Sequence, residues 1–546
     1  MRKCFLLVFL SLFQAFSGRS QPVNDPIVRP KLVVGIVVDQ MRWDYLYRYF
    51  NKYSDGGFKR LLQQGFTCEN AYINYLPSYT AVGHTCIYTG SVPSISGISG
   101  NDWVEQLTGA HVYCTDDSTV QSVGIGYSAD GKMSPRNLLV TTITDELRMA
   151  TNYRSKVVGI SLKDRAAILP AGHTANAAFW MDDSSGNFIS STYYMSKLPA
   201  AVENFNKQKN IEKFLNGEWN TLYPIESYVE SDTDNKPYEG KLTGETASVF
   251  PHNIKAAYTK NHGSFRSTPF GNSLTLDFAK MILDAYELGQ GTSTDFLTIN
   301  CASTDYVGHL FGPNSIEVED TYLRLDLDLA SFFSELDTKL GKGQYLIFLT
   351  ADHGAASAVG YSQENRIPSG LFVSKEILAN LDQLIQQKYG LTNSIRSAGN
   401  YQINFNLEKI KLANADLDGI KNLTVDFFKK QPGVSYAVDI DKIQDAPIPE
   451  PIRTMIINGY NFKRSGQVQI VFQPGWLESY ARTGTTHGTW NPYDTHIPLI
   501  FMGWDIRPGA SAAHINMTDI APTLATLLHI QPPNGNIGTP IVDLLK

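Results

Sequence analysis

The sequence predicts an α/β fold: a large, mostly parallel sheet with helices on both faces. Two observations carry that prediction. Leu32–Val38 and Tyr345–Ala351 are short apolar runs, and Asp295–Cys301 has the same strand-like texture. Runs of this kind read as strands buried on both faces, which is the parallel-sheet pattern. Each run is also followed by Asp or His: Asp39 after Leu32–Val38, Asp305 and His309 after Asp295–Cys301, and Asp352-His353-Gly354 after Tyr345–Ala351. The C-terminal edge of the strands is where open α/β sheets build their sites.

The remaining elements follow from local pattern. Core strands are expected near 31–38, 157–161, 295–301, 345–351 and 497–502. The clearest helix is Asn314 to Leu340, with Asn314 as N-cap, Glu317 three residues later and Gly341 as the stop. Leu325, Leu329, Phe332, Phe333, Leu336 and Leu340 give it an apolar stripe for core packing. Residues about 176–290 are rich in Asn, Ser, Thr, Lys and Tyr. Residues about 366–470 hold helical stretches and the Pro-rich connection Asp445–Pro451. Both read as insertions into a single domain spanning 21–546. There is no internal repeat.

Composition narrows the class. The chain has 546 residues, 42% hydrophobic and 18% charged, as ordinary globular proteins do. Met1-Arg-Lys3, the mostly apolar Cys4–Phe16 and small residues around Ser17-Gly18 read as a signal peptide over residues 1–20. That run is shorter than the roughly 20 apolar residues a bilayer span needs. Export is therefore expected, to the periplasm or outside, with no membrane span in the mature protein. Loss of Arg2, Lys3 and Arg19 takes the formal charge from −7 to −10. Such a chain lacks the basic balance of a nucleic-acid binder, although bound metal could still supply local positive charge for phosphate. Cys68, Cys86, Cys114 and Cys301 remain after cleavage. They allow one or two disulfides in an oxidising compartment, but their pairing is not fixed by sequence. Their spacing is not that of a zinc ribbon, and Cys301 reads as a buried thiol.

The chemistry lies in the strand-end residues. Zinc takes His nitrogen and carboxylate oxygen in a near-tetrahedral shell. Asp305 and His309, four residues apart, can share a metal, and His487 in the loop Gly484-Thr-Thr-His-Gly488 can complete that site. Asp39, Asp352 and His353 supply a second set. The competing reading makes each Asp a helix cap and each His structural. Six such residues at strand exits or in a Gly-flanked loop favour the metal reading. His84, His111, His173, His252, His262, His496, His514 and His529 lack the clustering. His496 is the strongest of these as a supporting residue.

Thr80, in Pro77-Ser-Tyr-Thr80-Ala-Val-Gly, follows a turn and opens a helix. It reads either as an N-cap or as a nucleophile favoured by the helix dipole and a nearby metal. Ser78 and Thr85 are rival hydroxyls. Asn101 offers an amide beside the glycine turn Ser99-Gly100. Lys163 and Arg165 alternate on an extended segment after the strand ending at Ser161. They read either as a clamp on one phosphoryl group or as a solvated pair linked to Asp164.

Taken together, these residues resemble the alkaline phosphatase superfamily, and more narrowly the PafA-type alkaline phosphatases, which are exported bacterial zinc phosphomonoesterases. The resemblance runs over nearly the whole mature chain. It rests on Val38-Asp39-Gln-Met-Arg-Trp-Asp, Pro93 to Trp103, Ser161 to Arg165, Ala302 to His309, Ala351 to Ala355 and Gly484 to Gly503. It implies Thr80 as a nucleophile that becomes phosphorylated and two Zn2+ ions. One zinc would take Asp305, His309 and His487. The other would take Asp39, Asp352 and His353, with the Thr80 oxygen completing its shell. Asn101, Lys163 and Arg165 would hold the phosphoryl oxygens of small phosphate monoesters. Cys68, Cys86 and Cys301 depart from the typical pattern. A sulfatase is excluded, because no C/S-x-P-x-R motif stands at Thr80. The alternatives are a phosphodiesterase or nucleotide pyrophosphatase of the same superfamily, and a non-catalytic phosphate-ester binding protein. Oligomeric state is left open by the sequence, with a monomer plausible.

Overall fold

The computed structural model describes residues 28–479 and 481–545. The expected signal peptide, residues 1–20, lies outside the described residues. Ten strands form the main sheet. In chain order they are β1 (Leu32–Val38), β2 (Phe66–Cys68), β3 (Ser122–Val123), β4 (Val157–Ile160), β5 (Ala177–Asp182), β6 (Asn187–Ser191), β7 (Asp295–Cys301), β8 (Tyr345–Thr350), β9 (Leu499–Gly503) and β10 (Gly509–Ser511). Their spatial order is β10-β2-β9-β8-β1-β7-β4-β5-β6-β3. The five central strands, β8, β1, β7, β4 and β5, run parallel. β9 and β6 join this block antiparallel, to β8 and β5 respectively.

Every residue of β1, β7 and β8 is buried, as the apolar runs require. Five helices matter for the site: α1 (Thr80–Thr89), α2 (Asp164–Ala171), α3 (Phe270–Ala285), α4 (Ser303–Phe311) and α5 (Ile316–Leu340). They lie on both faces. A Cβ added to Gly35 would stand 2.3 Å from the Tyr88 hydroxyl and 2.5 Å from the Phe348 ring, so α1 covers the face on which odd residues of β1 project. On the even face, Leu32 and Leu340 of α5 converge on Gly289, whose added Cβ would lie 3.2 and 2.9 Å from them.

Several expectations need correction. The long helix begins at Ile316, and its N-cap is Ser315, not Asn314; the Ser315 hydroxyl accepts from the Val318 N–H at 3.2 Å. Gly341 ends the helix with φ +93°, where glycine carries no Cβ penalty. The strand expected at 497–502 is split at Pro498. Ile497 belongs to a short strand with His496 that pairs with Ala71–Tyr72, and β9 starts at Leu499. The four cysteines are free thiols, all buried and each on its own stretch of chain. Burial pushes the Cys68 thiol up to about 12, away from the thiolate form.

The stretch 176–290 supplies β5 and β6 to the main sheet, and its α3 packs beside β7. Its ends are therefore core, masked in the sequence by the polar texture of the stretch around them. Residues 366–470 and just beyond build a separate antiparallel sheet from Ile395–Ser397, Gln402–Phe405, Val468–Phe472 and Val434–Asp439. That sheet has its own apolar cluster, which includes Leu381, Ile403, Ile420 and Phe428. Among the described residues, no helix is long and apolar enough to cross a membrane.

Candidate active site

Parallel register sets the site. Val38 stands opposite Cys301 and Val37 opposite Thr350, while Ile160 stands opposite Ile299. The exits of β1, β4, β7 and β8 thus share one edge. Asp39 leaves β1 directly, and Asp352 and His353 follow β8. Asp305 and His309 lie one turn apart in α4, which begins two residues after β7. Lys163 stands at the N-cap position of α2 after β4, with no side-chain bond to the helix. His487 arrives from the loop before β9.

The histidines are oriented by backbone. Nδ1 of His309 contacts the Thr485 carbonyl at 2.8 Å, Nδ1 of His487 the Ser78 carbonyl at 2.8 Å, and Nδ1 of His353 the Gly354 carbonyl at 2.9 Å. A carbonyl only accepts, so each ring carries its proton on Nδ1 and presents the Nε2 lone pair to the site. This is the tautomer and orientation that metal-binding histidines adopt. Burial, followed by the nearby His353 and His309, holds His487 well below the usual histidine range.

The ligand atoms converge in two groups. Asp305, His309 and His487 form one. The other combines Asp39, His353 and again Asp305. Asp352, expected in that second set, has Oδ2 3.4 Å from His353 Nε2, and Asp39 Oδ1 lies 3.8 Å from the same nitrogen. These two carboxylate oxygens are fully buried and have no hydrogen-bond partner. A buried unpaired carboxylate oxygen is costly. Ligand atoms about 2.0–2.1 Å from a tetrahedral metal stand roughly 3.3 Å apart. The donor set and its orphaned oxygens therefore fit a metal at each group. The rings of His353 and His487 stack with centroids 3.5 Å apart, so the two groups are immediate neighbours.

Lys163 is 1% exposed and bridges the groups, with Nζ 2.8 Å from Asp39 Oδ2 and 2.6 Å from Asp305 Oδ2. Burial pushes its pKa down, but Asp305 and Asp39 outweigh that and hold it protonated. The same balance separates the carboxylates. Burial raises Asp305, yet His309 and Lys163 hold it well below the usual range. Asp39 stays well above, through burial and then repulsion from Asp352.

Thr80 is the first residue of α1, so it does not cap the helix; Tyr79 holds the N-cap position without a side-chain bond. The Thr80 hydroxyl is buried and lies 3.4 Å from His353 Nε2. The rival Ser78 is occupied by the Thr489 carbonyl at 3.0 Å. Asn101 Oδ1 accepts from the Ala81 N–H at 3.0 Å, which leaves its Nδ2 as a donor beside Thr80. Lys163 and Arg165 are not in one extended segment, because α2 starts at Asp164 and places Arg165 in its first turn. Arg165 donates to the Tyr113 hydroxyl at 3.1 Å, and its Nε is buried without a partner.

Several residues escaped sequence reasoning. Gln40, at φ +64°, gives its backbone N–H to Asp352 Oδ1 and its amide to Asp305 Oδ1 at 2.6 Å. Asn300 reaches Asp39 Oδ2 at 3.3 Å. His84 lies 3.4 Å from Asp352 Oδ2, and its place one turn after Thr80 was the available signal. His496 does not support the site; it stacks between Trp43 and Tyr72 and meets the Glu69 carbonyl.

Fold and strand-end cluster together define a member of the alkaline phosphatase superfamily. Residues 33–495 match the family described as type I phosphodiesterase / nucleotide pyrophosphatase. Within that family the chain belongs with the PafA-type proteins. It is 52% identical over 523 residues to alkaline phosphatase PafA of Elizabethkingia meningoseptica, covering 96% of each chain. It is 54% identical over 549 residues to alkaline phosphatase PhoV of Synechococcus elongatus, covering 100% of this chain and 99% of that one. The crystal structure of PafA superposes with a TM-score of 0.94, covering 95% of this chain and all of that one. A murine ectonucleotide pyrophosphatase/phosphodiesterase, at 14% identity and TM-score 0.51 over 94% of this chain and all of its own, shares the fold.

One contact makes the geometry testable. A Cβ on Gly83 would lie 2.4 Å from the Asp352 carbonyl oxygen and 2.8 Å from its Cα, so α1 packs on the backbone of the Asp352 segment through a glycine. Gly83→Ala must push Thr80 and Asp352 apart. A misplacement near 1 Å is expected to lower turnover by about 10²-fold while the protein still folds. Gly126→Ala, with nothing within 4 Å of the added methyl, should leave turnover unchanged. Steady-state rates together with circular-dichroism melting check both.

Proposed function

We propose that this chain is an alkaline phosphatase that hydrolyses phosphate monoesters through a phosphothreonine at Thr80, beside two zinc ions. The observation that carries the reading is the placement of the Thr80 hydroxyl, at the start of α1 and 3.4 Å from His353 Nε2, beside the orphaned oxygens of Asp39 and Asp352. Asp305, His309 and His487 would hold one zinc, and Asp39, Asp352 and His353 the other. Bound zinc would supply positive charge against the charge developing on attacking and departing oxygens. The chain's own residues do the rest. The start of α1 favours negative charge at Thr80. Asn101 Nδ2, Lys163 and Arg165 hold the phosphoryl oxygens, and the partnerless Nε of Arg165 is a donor suited to that task. The relatives' phosphatase names and this cationic pair favour monoesters over the diesters named in the family description. The basic start and apolar run of residues 1–16 support export.

Three experiments test the reading. Thr80→Ala should abolish a trappable phosphoenzyme, and Thr80→Ser should keep appreciable activity because the hydroxyl remains. Phosphate recovered on Ser78 or Thr85 of the wild type would refute the choice of residue.

Elemental analysis should find two zinc ions per chain. Chelation should abolish turnover and lower the melting temperature, since metal bound to the native state adds to folding free energy. One ion or none in active protein contradicts the site.

The third experiment concerns ester class. A monoester dianion offers one more free oxygen and one more charge than a diester. Lys163→Ala and Arg165→Ala should each slow monoester hydrolysis by about 30- to 1,000-fold, the range of roughly 2–4 kcal/mol typical of such contacts. Diester rates should fall far less. Equal losses in kcat/KM for both esters would mean that the pair only shapes the site.

A further inference from the structure

A recess of about 430 Å³ adjoins the proposed phosphoryl site. The catalytic core gives it Tyr79, Asn101 and Asp102; the region around the smaller sheet gives it Leu378, Asn400 and Glu478. Tyr79 directly precedes Thr80, and Asn101 is the residue that also holds the start of α1. The Tyr79 ring also meets the His487 ring, with centroids 5.6 Å apart, so a group entering this recess lies on the His487 side of the site.

The two sides of the recess are tied together. Asn400, at φ +61°, donates from Nδ2 to the Asp102 carbonyl at 2.9 Å. A Cβ on Gly100 would lie 2.5 Å from the Asn400 amide, so glycine permits this approach. Tyr401 packs against Tyr79, with ring centroids 6.0 Å apart, and donates to the His487 carbonyl at 2.8 Å. The wall of the recess is thus braced against a ligand loop.

Its charge is one-sided. Asp102 and Glu478 are the ionisable carboxylates among its lining residues, and no lysine or arginine lines it. Asp102 is met by His111 at 3.0 Å on the solvent side. Glu478 is bonded by the Ser374 hydroxyl and, after burial itself, is the leading cause of the raised Tyr79 pKa. The phosphoryl end of the site is cationic and this end is anionic.

We infer that the recess is the leaving-group subsite, and that it favours phosphate monoesters whose alcohol carries a cationic group over esters carrying a second anion. The inference rests on the phosphatase reading and adds the substrate class. An ammonium group on the alcohol would face Glu478 across the Tyr79 ring, where a cation also gains from the aromatic face. A carboxylate or second phosphate on the alcohol would meet two like charges.

The test compares three aryl phosphates: phenyl phosphate, para-trimethylammoniophenyl phosphate and para-carboxyphenyl phosphate. kcat/KM is measured for each at alkaline pH, where Glu478 is ionised, with wild-type holoenzyme, Glu478→Gln and Asp102→Asn. Intrinsic leaving-group reactivity cancels when the cation-to-anion rate ratio is compared between enzymes. A unit charge about 6 Å away in a half-solvated recess changes that ratio by about fivefold, and the change should shrink with added salt. The expected result is a fall of about fivefold in the ratio for Glu478→Gln and a smaller fall for Asp102→Asn. A ratio unchanged in both variants, or an equal loss on all three esters, overturns the subsite while leaving the phosphatase reading standing. No turnover of any of the three by wild type overturns the phosphatase reading and the subsite with it.

Discussion

The structure turns on the neutralisation of three buried carboxylates. Asp39, Asp305 and Asp352 are all but inaccessible to water and close enough to interact. Two like charges about 4 Å apart cost roughly 4 kcal/mol even at an effective dielectric of 20, and desolvation adds several kcal/mol per ion. Lys163 is one remedy, because it bonds two of the three. It cannot reach Asp352 as well, and Asp352 Oδ2 and Asp39 Oδ1 keep no partner. A single lysine is too little charge for this cluster. The arrangement is built for further cations, and the three imidazoles aimed at the same space are ligands suited to them.

This explains why the meeting of these residues was legible in the sequence. In a parallel sheet the strands end in step, so residues just after β1, β7 and β8 meet without further information. Asp39 and Asp352 needed only that rule. Asp305 and His309 needed one helical turn in addition. His487 was legible through its glycine-flanked loop. What the sequence concealed are contacts that depend on backbone detail. Gln40 reaches two carboxylates only because it adopts a left-handed conformation that glutamine seldom takes. The helical start at Asp164, not an extended segment, sets where Arg165 points. His496 has the right neighbours in sequence, but pairing with Tyr72 turns it into an aromatic stack.

The fold was legible to a similar depth. Buried parallel strands announce themselves by composition. β5 and β6 are of ordinary length, six and five residues, but their polar surroundings hide them, and a stretch that is partly core then reads as an insertion. The smaller sheet around 395–472 was visible only as a change in texture. Its contribution is mechanical: Tyr401, buried where the smaller sheet meets the core, donates to the His487 backbone. A residue of this peripheral sheet thereby restrains a ligand loop from behind.

The backbone bonds of the three histidines carry a further consequence. A metal-binding imidazole often donates its second N–H to a carboxylate, which raises its basicity and brings another negative charge. Here all three donate to main-chain carbonyls instead. Carbonyls fix the tautomer without adding charge to a cluster that already holds three carboxylates. They also belong to segments packed on backbone: an added Cβ at Gly484 would stand 2.1 Å from the His309 carbonyl, and one at Gly354 2.2 Å from the Tyr493 carbonyl. For His309 and His353 the orientation of the lone pair is thus inherited from main-chain packing. Neutral carbonyl partners leave the negative charge of the cluster to the three aspartates alone. Lys163, bonded to two of those aspartates, is the fixed positive charge set against them, and it leaves the third aspartate to be balanced by something else.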